Sequence, residues 1–261
     1  MTNSSLLRLL ADCRQRLDGK GFNVWGITTI EEFNAIQCRG SRLNAERAGS
    51  LSAVVVGSGG RALWQHLQGN GRSIGEPRRG YHPIDDFSER ALLTEVENFR
   101  RLGYEACALF PFDKKPVNFV KLAESAGIGV LSPVVPFLLH PVYGPWISLR
   151  GAILLEARIP SNDALADFEP CSGCDSPCLS ACPASVYGKG GEVRLDRCAD
   201  HRSANGCVGG CEVRRACPIG KEHRFDASEE AFRHSYSLPM LRRWFGRGIW
   251  RFVPARMRRM L

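Results

Sequence analysis

No stretch of this sequence approaches the length of a membrane span, and residues 1–20 hold no apolar core of the size a secretory leader needs. No twin-arginine pair opens the chain either. These absences argue against a helical membrane protein and lead us to expect a cytoplasmic one. A complete GxGxxG fingerprint is also missing, and no internal repeat is evident outside the cysteines. Nor is the basic charge spread over the body. From position 231 to the end there are eight arginines with no lysine and no acid; removing them from the 35 basic residues leaves 27 against 27 acidic ones. The net charge of +8 therefore belongs to the tail, and a general nucleic-acid surface does not follow from it.

What the chain does have is cysteine. Eight of eleven fall within residues 171–217, in two groups. The first reads CSGCDSPCLSACP, with Cys171, Cys174, Cys178 and Cys182 followed by Pro183; the second, Cys198, Cys207, Cys211 and Cys217, closes on Pro218. Two groups that each end in Cys-Pro are the pattern of a chain folded around two 4Fe–4S cubes. A cube needs four thiolates from several directions, so a loop supplies three and a distant residue the fourth, and in two-cluster ferredoxins the cysteine before proline crosses to the other cube. That rule pairs Cys171, Cys174, Cys178 and Cys217 on one cluster, and Cys182, Cys198, Cys207 and Cys211 on the other. The spacing is wider than usual: three residues separate Cys174 from Cys178, with Pro177 among them, and eight separate Cys198 from Cys207. Two four-cysteine zinc sites would use the same thiolates, although zinc has no need of the Cys-Pro endings. A disulfide framework suits a short secreted chain, which this is not. The other three cysteines, Cys13, Cys38 and Cys107, add to the expectation of a reducing compartment.

The first 160 residues alternate helical and strand periodicities, so the fold class is α+β. Residues 4–18 space Leu6, Leu9, Leu10, Cys13 and Leu17 as a helix. Residues 22–29, 51–56, 104–110 and 148–157 read as strands, and 61–68, 85–102 and 117–126 as helices. The helix over 85–102 is expected to bury Phe87, Leu92, Leu93, Val96, Phe99 and Leu102. Gly57-Ser58-Gly59-Gly60 reads as a tight turn after a strand, a form that can also cradle phosphate. The division expected is 1–160 for this domain, 161–228 for a ferredoxin-like two-cluster module, and 229–261 for a basic, aromatic tail.

The run DKKPVNFVKLAESAGIGVLSPVVPFLLHPVYGPWISLRGAILLEARIP, residues 113–160, resembles the central segment of the epoxyqueuosine reductases. It carries that family's Asp-x-x-Pro-Val start, its Leu-Ala-Glu-x-Ala-Gly-x-Gly core and its His-Pro-x-x-Gly-x-Trp turn. Upstream, Tyr81-His82 before a long helix resembles the family's Tyr-His element, and the eight cysteines follow in the family's order. The resemblance spans roughly residues 20–220 and extends to reductive dehalogenases and cobalamin-processing proteins. It implies a nitroreductase-like, cobalamin-binding mixed-sheet domain fed with electrons by the two 4Fe–4S clusters. By analogy the cobalt would be reduced to a nucleophilic Co(I) state while an acid delivers a proton. Asp113 stands on the family's proton-donating aspartate, and Tyr81, His82, His140 and Tyr143 would line the cofactor pocket. Read alone, Asp113 before a helix is equally a cap, and Trp146 reads as core. The family continues into a helical-repeat domain that helps grip tRNA, where this sequence has its 31-residue tail.

In residues 238–261 arginines alternate with aromatics, with Arg243, Arg247 and Arg251 four apart. Such a stripe suits RNA, an anionic membrane surface, or docking on the protein's own body. Two functions remain in view. One is a corrinoid-dependent reductase drawing on an external donor such as flavodoxin or ferredoxin reductase; the other is a ferredoxin-type carrier with no corrinoid and no substrate of its own.

Overall fold

The computed structural model describes residues 3–38, 42–43, 49–69, 74, 82–113, 117–188, 191–245 and 252. The chain divides into two compact units, Met1–Leu131 with Ile147–Phe168, and Ser132–Trp146 with Glu169–Leu261.

The first unit is α+β. Strands β1 (Val24–Thr29), β2 (Ser52–Gly59), β3 (Ala106–Leu109) and β4 (Ile147–Leu155) form an antiparallel sheet in the order β1-β2-β4-β3. Every residue of β2 is buried, which explains its unbroken apolar centre Ala53-Val54-Val55-Val56: a central strand covered on both faces has no polar side to show. Val54 pairs with Ile27 on one side and Ile153 on the other.

Gly57 and Gly59 after this run do not turn. A bulge at Val56/Gly57 shifts the register, and the strand continues through Gly57, Ser58 and Gly59 opposite Leu149, Ser148 and Ile147. A Cβ on Gly57 would stand 2.9 Å from the Ser148 carbonyl oxygen, so glycine here permits strand approach. The expected tight turn narrows to Gly60, at a left-handed φ of 58° before the next helix, while Gly57-Ser58-Gly59 continue a bulged central strand.

Helix α1 (Asn3–Asp18) buries Leu6, Leu9, Leu10, Cys13 and Leu17, the stripe its periodicity predicts. Helix α2 (Ile30–Ala35) is opened by a capping box between Thr29 and Glu32. Helix α3 (Ala62–Gly69) follows β2, and α5 (Phe119–Ser125) is capped by Asn118. Helix α4 (Pro83–Arg101) has proline at its start, Asp85 and Asp86 in its first turn and Arg100 and Arg101 in its last, each suited to the helix dipole. Its buried face comprises Ile84, Ser88, Ala91, Leu92, Glu95, Val96 and Phe99. Leu93 and Leu102, expected inside, are 41% and 52% exposed. Leu92 already lies towards one side of the buried face and Leu93, about 100° further round, falls beyond its edge, while Leu102 is the C-cap beyond the last turn. The interior position goes to Glu95, fully buried and held by Arg16 of α1 at 2.6 Å.

The second unit is built of short helices: α6 (Pro177–Ser180), α7 (Leu195–Ser203), α8 (Glu212–Ala216) and α9 (Ala227–Phe245), with a 3-10 turn at Lys221–His223. Helix α9 packs on α7, tied by Arg202 to the His234 carbonyl and by Arg242 Nε to Ser203 Oγ at 2.8 Å. Part of the arginine–aromatic tail, up to Phe245, thus folds onto its own unit; residues 246–251 and 253–261 lie outside the described residues. No described helix is long and apolar enough to cross a membrane.

Candidate metal centre

The extra residue before Cys178 has a local explanation. Ser176 adopts the left-handed region at φ 52°, and Pro177 then opens α6, so Cys178 enters at the second position of a new helix. The wide gap from Cys198 to Cys207 is the rest of α7 plus a returning loop. Gly206 N donates to His201 O at 2.9 Å and Gly210 N to Cys207 O at 3.1 Å, while Cys207 itself takes a left-handed φ of 53°. At the far end Pro218 holds Cys217 extended (φ −65°, ψ 126°), ending α8 there.

These local devices sort the eight thiols into two sets. Cys178 lies within electrostatic reach of Cys217, Cys171 and Cys174; Cys198 lies within reach of Cys211, Cys182 and Cys207. Burial, then the neighbouring thiols, pushes Cys178, Cys207 and Cys217 above the usual thiol range and Cys198 up to about 11, with Arg202 opposing the rise at Cys198. Among the described residues, which include all eleven cysteines, there is no disulfide. Nor does any group of three or more His, Cys, Asp or Glu among them form a site for a single metal ion.

The surroundings of the two sets differ. Around Cys171, Cys174, Cys178 and Cys217 the wall is apolar, with Val134, Phe137, Leu139, Val213 and Ile219 prominent. Its polar side chains are Ser132 and Ser176, and Ser132 Oγ lies 3.3 Å from Cys171 Sγ. That oxygen accepts from Val134 N and Val135 N, which leaves its proton for the sulfur. The other set has Arg202, buried on α7 four residues after Cys198, and a half-buried Tyr187, whose phenol burial and then Cys211, Cys198 and Cys182 drive upward. Arg214 on α8 lies over the rings of Phe137, Trp146 and Phe225 at 5.4, 5.9 and 5.9 Å. Among the described residues, the buried Nε atoms of Arg202 and Arg214 have no hydrogen-bond partner. Eight thiols with two orphaned guanidinium donors beside them fit sulfur-rich clusters, whose sulfides accept hydrogen bonds.

The pocket residues expected from sequence fall elsewhere. His82 caps α4, its Nδ1 accepting from Asp85 N at 3.2 Å, and Asp85 pairs with Arg150 at 3.1 Å. Asp113 closes the turn after β3, with Oδ2 accepting from Phe110 N at 2.9 Å. Tyr81 lies outside the described residues. His82 and Asp113 belong to the first unit, His140 and Tyr143 to the second. His140 Nδ1 accepts from Val142 N at 3.0 Å and Tyr143 N at 3.2 Å, and its ring meets Tyr143 at 5.0 Å. Burial, with His223 nearby, lowers His140 to about 4, so the ring is neutral and serves as an acceptor.

Reading by sequence passed over Ser132, Tyr187, Arg202 and Arg214. Arg202 carried a signal, since residue i+4 from a ligand on a helix shares its face. Arg214, midway between Cys211 and Cys217, carried one as well. Ser132 had none, lying 39 residues from its partner.

The fold is similar to that of solved epoxyqueuosine reductases and of a reductive dehalogenase. The chain is similar to an epoxyqueuosine reductase bound to a tRNA stem loop carrying epoxyqueuosine, at 17% identity and a TM-score of 0.57, over 87% of this chain and 69% of that one. It is similar to the Bacillus subtilis epoxyqueuosine reductase with its catalytic aspartate loop swung out, at 17% identity and a TM-score of 0.55 over the same shares. A reductive dehalogenase whose structure suggests a mechanism for B12-dependent dehalogenation matches at 17% identity and 0.52, over 85% of this chain and 33% of that one. No protein-family model and no curated protein matches the chain.

Proposed function

We propose that this chain is an iron–sulfur oxidoreductase in which two 4Fe–4S clusters pass electrons towards a corrinoid-assisted reduction. The observation that carries the reading is the sorting of the thiols: each set takes three cysteines from one group and the Cys-Pro cysteine from the other. Cys171, Cys174, Cys178 and Cys217 would hold one cluster in a ferredoxin-like manner; Cys182, Cys198, Cys207 and Cys211 would hold the second.

A bound corrinoid would supply a metal centre that takes up electrons and acts on the substrate. The chain's own part is positioning and proton supply. Asp113 is the proposed proton donor, supported by the solved relative in which an aspartate sits on a catalytic loop. One of its oxygens is steadied by Phe110 N, and the other would carry the proton. His82 and His140 each hold a backbone turn of their own unit through Nδ1, a positioning task and not that of a reacting group. A reducing, cytoplasmic setting and an external donor of the flavodoxin or ferredoxin reductase class belong to the same proposal. For residues 238–261 an RNA partner is the reading supported by the tRNA-bound relative, with an anionic membrane surface as the competing partner.

The test is anaerobic reconstitution followed by cobalamin addition under reducing conditions. About eight irons per chain, with stoichiometric corrinoid retained through gel filtration and a Co(II) signal, support the reductase. Full iron with no corrinoid retained would instead make the chain a ferredoxin-type carrier. Loss of substrate reduction in Asp113→Asn, with corrinoid and iron intact, is expected; full activity in that variant would remove Asp113 from the chemistry.

A further inference from the structure

We propose that the two clusters are electrically unequal, and that Arg202 and Arg214 make the Cys182/Cys198/Cys207/Cys211 cluster the one where the first electron settles. The inference rests on the two-cluster reading above.

A cube held by four thiolates is already anionic, and reduction adds one more negative charge. A nearby fixed cation therefore favours the reduced state, while an apolar, poorly solvated wall disfavours it. The two environments lie on opposite sides of that balance. Among the described residues, no charged side chain lines the cavity at Cys171, Cys174, Cys178 and Cys217, where the polar side chains are the neutral hydroxyls of Ser132, 3.3 Å from Cys171 Sγ, and Ser176.

At the other set, Arg202 is 8% exposed and on the face of α7 that carries Cys198. It is pinned by the His234 carbonyl and by Ser237 Oγ at 3.2 Å. Arg214 lies within electrostatic reach of Cys211 and over three aromatic rings; burial lowers its guanidinium, Cys211 and Glu230 oppose that, and a guanidinium keeps its charge at neutral pH. The orphaned Nε–H groups of both arginines are donors that a cluster sulfur would satisfy. Glu212 near Cys207 and the buried Glu230 near Arg214 oppose them, but both carboxylates pair with Arg215, Glu212 at 2.9 Å and Glu230 through Arg215 Nε at 2.8 Å. The electron given up by a one-electron donor thus rests on this cluster before the apolar one is reduced.

The experiment is an EPR-monitored redox titration of the full reconstituted chain with dithionite. Two separate one-electron waves are expected in wild type. Arg202→Gln should shift the higher wave downward by at least tenfold in equilibrium constant, about 59 mV, and leave the lower wave in place. Arg202→Lys should recover most of that shift. Ser132→Ala should lower only the other wave. Coincident waves in a chain with about eight irons, or an Arg202→Gln shift shared by both waves, would overturn the inference alone. Zinc in place of iron in the wild type would overturn the two-cluster reading and this inference with it. If Arg202→Gln retains only about four irons, Arg214→Met decides in the same titration: a lowered upper wave sustains the proposal and an unmoved one rejects it.

Discussion

On the two-cluster reading, replacing Gly144 with alanine should cost the protein one cluster, not both. Gly144 closes the turn that begins at His140, through His140 N to Gly144 O at 3.0 Å and Gly144 N to His140 O at 2.8 Å. Its φ of 53° lies in the left-handed region, where a Cβ costs about 1 kcal/mol. Crowding costs more. A Cβ would fall against the Ile219 carbonyl and 2.7 Å from its carbon, and backbone cannot swing aside as a side chain can. Overpacking of this kind costs roughly 1–3 kcal/mol, so the total is about 2–4 kcal/mol against a typical stability of 5–15 kcal/mol. The unit should stay folded, with Ile219 displaced and Pro218 and Cys217 moved with it. Iron should fall from about eight to about four per chain, and the signal of the Cys198-containing cluster should persist. Gly220→Ala, whose Cβ would strike the Tyr143 carbonyl from the other side, should reproduce the effect. Gly69→Ala meets nothing within 4 Å and should be neutral or stabilising. Full iron and an unchanged urea midpoint in Gly144→Ala would refute the reasoning.

Cysteine-to-serine pairs should reveal the crosswise sharing: Cys217→Ser combined with Cys171→Ser should lose no more iron than either alone, whereas Cys217→Ser with Cys182→Ser should empty both sites. In the first unit, burial alone would raise the Glu95 carboxyl, but hydrogen bonds from Arg16 and Asn98 hold it below its ordinary value. Arg16→Met strands that buried charge, and because Arg16 is itself 41% exposed the cost should sit near 2–3 kcal/mol by urea unfolding, under the 3–5 typical of a fully buried pair. Adding Glu95→Leu should return most of it. His140 gives a pH signature. Below pH 6.5 the unfolded chain takes up a proton that the folded turn refuses until about pH 4, so stability present above 6.5 is lost across that window. His140→Asn keeps an acceptor for Val142 N and Tyr143 N but does not titrate, and its urea midpoint should fall less between pH 6.5 and 4; an unchanged slope would count against the turn-capping role. His234, also lowered to about 4 by burial and then by Arg202, should keep part of the slope in that variant.

Where one periodicity governed a whole element, the sequence was readable. The leucine stripe of α1 and the apolar run of β2 state their burial directly, because a single face or a fully covered strand leaves no alternative. Misreadings arose where two local rules competed. Gly57-Ser58-Gly59 looks like a turn by composition, yet pairing with β4 supplies its backbone partners and a bulge absorbs the irregularity. Leu92-Leu93 looks doubly apolar, and only the position of the sheet decides which of the two is inside. The Thr29–Glu32 capping box was in plain view and was passed over because the helix it opens is only six residues long.

The site divides along the same line, between what is local and what is not. The Cys-Pro endings work through the residue before proline, which cannot stay helical, so the exit of Cys217 from α8 is written in two adjacent letters. Nothing so local announces that residues 132–146 belong with the cysteines. That segment joins them through tertiary contacts: Ser132 at Cys171, Phe137 and Trp146 around Arg214, and Gly144 against Ile219. The His-Pro-x-x-Gly-x-Trp turn consequently has a physical task before any cofactor is considered. Its histidine caps the turn, its glycine admits the backbone that follows Cys217-Pro218, and its tryptophan, fully buried, packs edge-on against Phe225 at 5.3 Å. A motif that looks like part of a pocket is, in this chain, also the seat of the fourth thiol of one set. Substitutions in the turn should therefore register in iron content before they register in any substrate assay.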